Sequence, residues 1–227
     1  TVQIDGDTLI VTRPDTSAFT GDGSKAGKVY VYHRVRAGEG QWSLEQVLQS
    51  PHADGTWDGF GTAAALAGDL LAVRGRTEAW VFQRGAGGAA APAAMGDSSS
   101  ASAGGWQPVW RTSVGPGERG SVALGPSFLV IGDPTAAVEE NDAAGAVRVF
   151  QRVQTGNDRA AQFSAVRTWT DPRPGANHGF GARVTIRGGR LLVGVSITAA
   201  SAAVMPGAYL QELPQPDATI VATTAAR

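Results

Sequence analysis

An acidic loop in the middle of the chain carries the side chains best suited to bind a cation. Asp133 is followed at short distance by Glu139, Glu140 and Asp142. Carboxylate oxygens are the ligands that hard cations such as calcium take from proteins. The spacing matches no defined calcium loop, so these residues predict either a weak cation site or a solvated polar turn. A second acidic pair with the same two interpretations is Asp15 and Asp22.

The histidines are not spaced as metal ligands. No two of His33, His52 and His178 are separated as neighbours on one face of a strand or of a helix would be. His178 precedes a Gly-Phe-Gly motif at the place where Asp58 precedes another, which predicts a role in a turn. An enzyme would require at least two of the acidic and histidine side chains to meet at one rim of the fold. The candidates are Asp133, Glu139, Glu140, Asp142 and His178.

Sequence motifs of known enzymes are absent or out of context. The chain has neither a Gly-x-Ser-x-Gly elbow nor a His-Glu-x-x-His pair, although a triad built from distant positions would leave no motif. Gly115-Pro-Gly-Glu-Arg-Gly120 has the spacing of a dinucleotide fingerprint. That fingerprint works only between a strand and a helix, and here a strand follows, so we interpret it as a turn. We predict that the protein is not an enzyme.

Large aromatic residues fall in or near the last predicted strand of successive segments. They are Trp42, Trp106 and Trp169, with Phe163 nearby. Such residues pack the edge of a sheet, or they form an exposed aromatic surface that contacts a partner protein or a glycan. The sequence leaves both interpretations open.

The composition excludes several classes of protein. The 227 residues carry a formal net charge of -1 and no cluster of Lys and Arg, so nucleic acid is not an expected partner. No apolar run is long enough for a membrane span, and no signal peptide is recognisable at the start. Zero cysteines exclude disulfides and thiolate sites. Because the chain opens at Thr1 within a strand-like pattern, we expect it to be a segment of something longer.

A short apolar motif that recurs four times organises the chain. Leu9, Leu71, Leu129 and Leu192 occupy equivalent places in it, with separations of 62, 58 and 63 residues. A fixed period of this size is typical of repeat architectures. Each repeat contains four predicted strands and no helical periodicity, which predicts an all-β protein. The units are 1–53, 54–114, 115–174 and 175–227, the last strand being the weak segment 218–222, and 85–105 is a Gly/Ala/Ser-rich insertion predicted to be a disordered loop.

The strands are apolar on both faces, so each sheet should be covered on both sides. This pattern predicts a β-propeller in which each unit forms one four-stranded antiparallel blade, with about four blades visible. The ring is then either small or continued outside this sequence.

The ordered motifs resemble the FG-GAP repeat, the blade unit of integrin-α-type propellers. The elements that carry the resemblance are Gly59-Phe60-Gly61, Gly179-Phe180-Gly181, Ile131-Gly132-Asp133-Pro134 and Gly145-Ala146-Val147-Arg148-Val149-Phe150. In the third unit Gly120 alone stands for the first element. The resemblance covers nearly the whole chain and implies a propeller of a secreted or cell-surface protein.

The chain departs from this family at its calcium loops. Calcium-binding members carry alternate aspartates before the central strand. The corresponding segments are Ile4-Asp-Gly-Asp7, Leu66-Ala-Gly-Asp69, Leu124-Gly-Pro-Ser127 and Ile186-Arg-Gly-Gly-Arg190. None offers enough oxygen ligands, so we predict no cofactor and treat calcium at this site as doubtful.

These features predict a structural or adhesion scaffold, extracellular or on the cell surface, that contacts other protein subunits of a larger assembly. The first alternative is a lectin-like propeller that binds a glycan or small ligand in a pocket at its central rim. The second, an enzyme on a propeller, requires the acidic and histidine candidates to converge.

Overall fold

The protein is built from antiparallel β-sheets. The computed structural model describes residues 1–14, 27–35, 40–51, 58–85, 105–115, 120–153, 160–196 and 208–214. Throughout these ranges the regular elements are β-strands, which confirms the predicted all-β class. The described part of the chain offers no helix that could cross a membrane. The insertion at 85–105, apart from its end residues, and the weak strand at 218–222 lie outside the described residues.

Each sheet is a meander whose strands pair in chain order. Sheet 1 contains β1 (Val2–Asp5), β2 (Thr8–Arg13), β3 (Lys28–Arg34) and β4 (Trp42–Gln49). Sheet 2 contains β5 (Ala63–Ala67), β6 (Leu70–Arg74), β7 (Glu78–Arg84) and β8 (Trp106–Ser113). Sheet 3 contains β9 (Ser121–Leu124), β10 (Phe128–Asp133), β11 (Ala146–Val153) and β12 (Gln162–Thr170). Sheet 4 contains β13 (Phe180–Arg187), β14 (Arg190–Val195) and β15 (Ala208–Glu212).

The strand register refines the alignment of the repeats. In the first hairpin of each sheet, the residue opposite Leu9 is Ile4, and the residues opposite Leu71 and Leu129 are Leu66 and Leu124. In sheet 4 the corresponding partners are Ile186 and Leu191. Leu191 therefore takes the place that the sequence pattern assigned to Leu192. Because neighbouring residues of a strand point to opposite faces, this shift moves Leu192 to the other side of the sheet.

The sheets stack face to face in chain order, and apolar side chains fill each gap. Sheets 1 and 2 enclose a cluster that includes Ile10, Val31, Leu71 and Trp80. Sheets 2 and 3 enclose Ala72, Val81, Leu129, Ile131 and Phe150, and sheets 3 and 4 enclose Val130, Val149, Phe180, Leu191 and Val193. Both faces of sheets 2 and 3 are therefore covered, as their doubly apolar strands predict. Each fully buried side chain of this size contributes about 1.5–3 kcal/mol.

The Gly-Phe-Gly motifs join consecutive sheets. Phe60 and Phe180 are both fully buried at the start of their sheets. The glycine after each, Gly61 or Gly181, has a φ near +90° (87° and 89°), a conformation that L side chains rarely adopt. A Cβ atom on Gly181 would lie 2.8 Å from the backbone oxygen of Ala146. Glycine is therefore required where the chain passes close to the preceding sheet.

Candidate interaction surfaces

The first hairpin turns of all four sheets surround one cavity. Its volume is about 800 Å³, and its walls come from β1, the β5–β6 turn, the β9–β10 turn and the β13–β14 turn. These are the segments that the resemblance to FG-GAP repeats compares with the calcium loops of that family. Equivalent turns of the repeat thus meet along one side of the stacked sheets. Sequence spacing alone could not specify this placement.

Charged residues of both signs line this cavity. Sheets 1 and 2 contribute Asp5 and Asp69 to the lining, whereas sheets 3 and 4 contribute Arg152 and Arg187. Apolar side chains, including Leu66 and Ile186, complete the lining. Pockets of this size with apolar walls and a few polar groups are common ligand sites.

Side-chain to backbone hydrogen bonds hold the first two turns together. The Gln3 side-chain oxygen accepts a hydrogen bond from the N–H of Leu66 (2.7 Å), and Asp5 Oδ2 accepts one from the N–H of Gly68 (2.7 Å). Asp69 Oδ2 accepts a hydrogen bond from the side-chain amide of Gln83 (2.9 Å). Both carboxylates are therefore already engaged by the protein.

Sheet 1 exposes an apolar face on the side away from sheet 2. Alternate residues of one strand and directly paired residues of adjacent strands share a face. By this rule the outer face of sheet 1 consists of Val2, Ile4, Leu9, Val11, Tyr30, Tyr32 and Leu44. Its most exposed members are Val2 (66%), Ile4 (58%) and Leu44 (50%). A contiguous apolar surface of this kind on a sheet is typical of an interaction site.

The acidic residues of the predicted cation loop are divided between the interior and the surface. Asp133 is 7% exposed and ends β10. Glu139, Glu140 and Asp142 are exposed in the connection between β10 and β11. No group of three or more His, Asp or Glu side chains suited to a metal ion occurs among the described residues. Asp15 and Asp22 lie outside them.

Asp133 belongs to a buried charge cluster between sheets 2 and 3. The guanidinium group of Arg74 is fully buried and donates to the backbone oxygens of Gly75 (3.1 Å) and Gly115 (3.3 Å). Burial lowers the pKa of Arg74 below its usual value, while the Asp133 carboxylate acts in the opposite direction. Burial also lowers the pKa of Arg148 below its usual value, and the Asp133 carboxylate again acts in the opposite direction. The negative charge of Asp133 thus offsets part of the cost of burying the positive charges of Arg74 and Arg148.

His178 takes part in a hydrogen-bond cluster at the junction of sheets 3 and 4. Its Nδ1 lies 3.1 Å from Asp171 Oδ2. Asp171, which is 3% exposed, also accepts hydrogen bonds from the N–H of Arg173 (2.8 Å) and the hydroxyl of Tyr209 (3.1 Å). At the junction of sheets 1 and 2, Asp58 similarly accepts from the Ser50 hydroxyl and from the N–H of Phe60 (2.9 Å). Both clusters fasten a Gly-Phe-Gly turn to the end of the preceding sheet.

Of the other two histidines, the structure describes only His33. His33 is exposed on β3, and His52 lies outside the described residues.

The predicted contact tryptophans differ in accessibility. Trp106 is 1% exposed and lies between sheets 1 and 2, which is the packing role that the sequence allowed. Trp42 and Trp169 are half-buried. Arginine side chains stack on all of these rings, with the guanidinium carbon 4.8 to 5.6 Å from the ring centre. The stacking arginines are Arg34 on Trp42, Arg84 on Trp106 and Arg167 on Trp169.

Two buried charged residues were missed in the sequence. Arg74 ends a strand of otherwise apolar residues, and this isolated charge was the only available signal of a buried ion cluster. Asp171 follows β12 directly, at the place that Ser50 takes after β4. The repeat alignment could have identified it, because Ser50 and Asp171 both pair with the residue before Gly-Phe-Gly.

Two comparisons with known proteins found no match for this chain. No protein family matches the chain, and a search of curated proteins found no match either. The likeness to FG-GAP repeats therefore depends on the quoted motifs, and the function has to be derived from the residues and contacts of the chain itself.

Proposed function

We propose that this chain is a non-enzymatic scaffold module of the FG-GAP type, whose sheets are blades of a propeller. Two observations support a radial arrangement of the sheets. The first strands β1, β5, β9 and β13 follow one another from sheet to sheet, and their turns surround one cavity. The resemblance further implies an extracellular or cell-surface location and a place in a larger protein assembly.

The observation that carries the scaffold function is the apolar outer face of sheet 1. In sheets 2, 3 and 4 the equivalent positions are buried against the preceding sheet, for example at Leu71, Leu129 and Leu191, which are at most 1% exposed. On sheet 1 this face lacks such cover within the described residues, and Ile4 remains 58% exposed. The surplus of exposed apolar surface is what a protein partner would bury.

The native mass of the protein tests this function. Gentle extraction, cross-linking and mass spectrometry should show the chain in a complex larger than its own 23.3 kDa. Leu44→Asp should release it, because a carboxylate on the apolar face would be buried without a partner. Val35→Asp provides the matched control, since Val35 is also 50% exposed but lies just beyond β3. An unassociated chain, or equal effects of both substitutions, would contradict the scaffold function.

The four-turn cavity favours a second candidate function, the binding of a glycan or another small ligand. Calorimetric titration with a glycan panel, with and without calcium, tests it. Arg187→Ala should weaken any saturable binding, because Arg187 lines the cavity and is exposed to a ligand there. Flat titrations across the panel would remove this candidate.

A further inference from the structure

The outer face of sheet 4 presents the positions that sheets 1 to 3 bury against the next sheet. At the centre of each such face lie two directly opposed residues, one from the second strand of the sheet and one from the third. The pairs are Ile10 with Val31, Ala72 with Val81, Val130 with Val149, and Leu192 with Leu210. In the first three pairs every side chain is at most 1% exposed. Leu192 and Leu210 are 42% and 60% exposed.

The outer face of sheet 1 presents the complementary set. Leu9 and Val11 of sheet 1 occupy the positions that Leu71 and Val73 occupy in sheet 2. Leu71 and Val73 are buried in the interface between sheets 1 and 2. The same alternation continues in sheet 3, where Leu129 and Ile131 face sheet 2. Among the described residues one type of interface is thus used three times, and each of its two halves is exposed once, on the first and the last sheet of the stack.

We propose that these two ends bind each other in different copies of the chain, so that sheet 4 of one copy stacks on sheet 1 of the next. This inference depends on the proposed scaffold function and names the partner as a second copy. The contact continues the interface that already joins sheets 1 to 2, 2 to 3 and 3 to 4. It places Leu192 and Leu210 against the exposed aliphatic residues of the outer face of sheet 1.

The polar residues around the two faces also fit each other. Around its leucine pair the outer face of sheet 4 carries three arginines, on β13 and β14, and one carboxylate, that of Glu212 on β15, and the outer face of sheet 1 carries Tyr30 and Tyr32. Arginine over an aromatic ring is favourable, and the described residues already show this arrangement at four places. The arginines are Arg183, Arg187 and Arg190.

The contact joins two different surfaces and is therefore heterologous. Such a contact produces a closed ring when the rotation between copies closes, and an open filament when it does not. Either product differs from a symmetric dimer in which the same face of both copies meets. The difference can be measured with variants that disable one face at a time.

Sedimentation velocity on the purified chain provides the test, over protein concentrations from about 1 µM to about 1 mM. The wild type should associate with increasing concentration. Leu44→Asp disables the face of sheet 1, and Leu210→Asp disables the face of sheet 4. Each variant alone should need at least about tenfold higher concentration to associate, because its new carboxylate would be desolvated. Far-UV circular dichroism checks that both variants remain folded, as expected for exposed positions.

Mixing the two variants gives the decisive result. Leu44→Asp keeps an intact sheet 4 face and Leu210→Asp keeps an intact sheet 1 face, so an equimolar mixture should form a one-to-one dimer and stop there. Val35→Asp, the control, should associate like the wild type. A wild type that stays monomeric, or a Leu210→Asp variant that associates normally, would overturn the proposal. If the isolated chain is monomeric but Leu44→Asp still releases a native complex, the scaffold function stands with a different partner.

Discussion

The interface between sheets 2 and 3 and the outer face of sheet 4 use the same strand positions with opposite results. In the interface, Ala72 and Val81 are buried, and the charge of Arg74 is compensated by Asp133. On the outer face, Leu192 and Leu210 are larger and more apolar, yet they are exposed. The comparison shows that burial in this chain depends on whether a neighbouring sheet is present, and not on how apolar the residue is.

The largest effect should come from breaking the charged part of the closed interface. Asp133→Ala leaves the buried guanidinium of Arg74 without its carboxylate and should lower the free energy of unfolding by about 3–5 kcal/mol. Urea denaturation measures this loss. Asp142→Ala is the control, because Asp142 is exposed in the following loop and its removal should change stability by less than about 0.5 kcal/mol. Similar losses for the two variants would show that Asp133 does not stabilise the interface.

An intermediate effect should separate the closed interface from the open face. Leu129→Ala removes a side chain that is 1% exposed between sheets 2 and 3 and should cost about 2–5 kcal/mol. Leu210→Ala, at 60% exposure, should cost less than about 0.5 kcal/mol in dilute solution, where copies are separate. Denaturation at low protein concentration compares the two directly. A large loss for Leu210→Ala in a monomeric sample would mean that the outer face of sheet 4 is covered within the chain.

The smallest effect should distinguish the two faces of β15 itself. Tyr209 faces sheet 3 and donates a hydrogen bond to the buried Asp171 (3.1 Å), whereas its neighbour Leu210 faces outward. Tyr209→Phe removes only the hydroxyl and should cost about 0.5–1.5 kcal/mol. Thermal unfolding of this variant beside Leu210→Ala resolves the difference. No loss for Tyr209→Phe would indicate that Asp171 is satisfied by its bonds to Arg173 and His178 alone.

Much of the fold could be predicted because its signals are local. Strand periods, turn glycines and the Gly-Phe-Gly motif depend on residues close together in sequence, and the structure has strands where these signals occur. The alignment of Leu192 was wrong by one residue, since a run of two leucines does not show which of them faces the preceding sheet. The strand register decides this, through the pairing of Ile186 with Leu191.

The candidate sites could be predicted less well, because they form between distant segments. Asp133 was grouped with Glu139, Glu140 and Asp142 by proximity in sequence, but its carboxylate acts on the charges of Arg74 and Arg148, which are distant in sequence or lie on another strand. The cavity could not be anticipated either, since its four turns are separated by about sixty residues each and meet only when the sheets stack.

The sequence by itself determined that this is an all-β chain of repeated antiparallel units, because alternation and turn chemistry act over a few residues and the same motifs recur along the chain. Only the tertiary structure decided which apolar faces are covered. Leu71 and Leu9 are the same residue type at the same register position. Leu71 has a sheet packed against it, whereas no sheet among the described residues covers Leu9. Burial is a property of the neighbour as much as of the residue, and the neighbours are set by how the sheets stack.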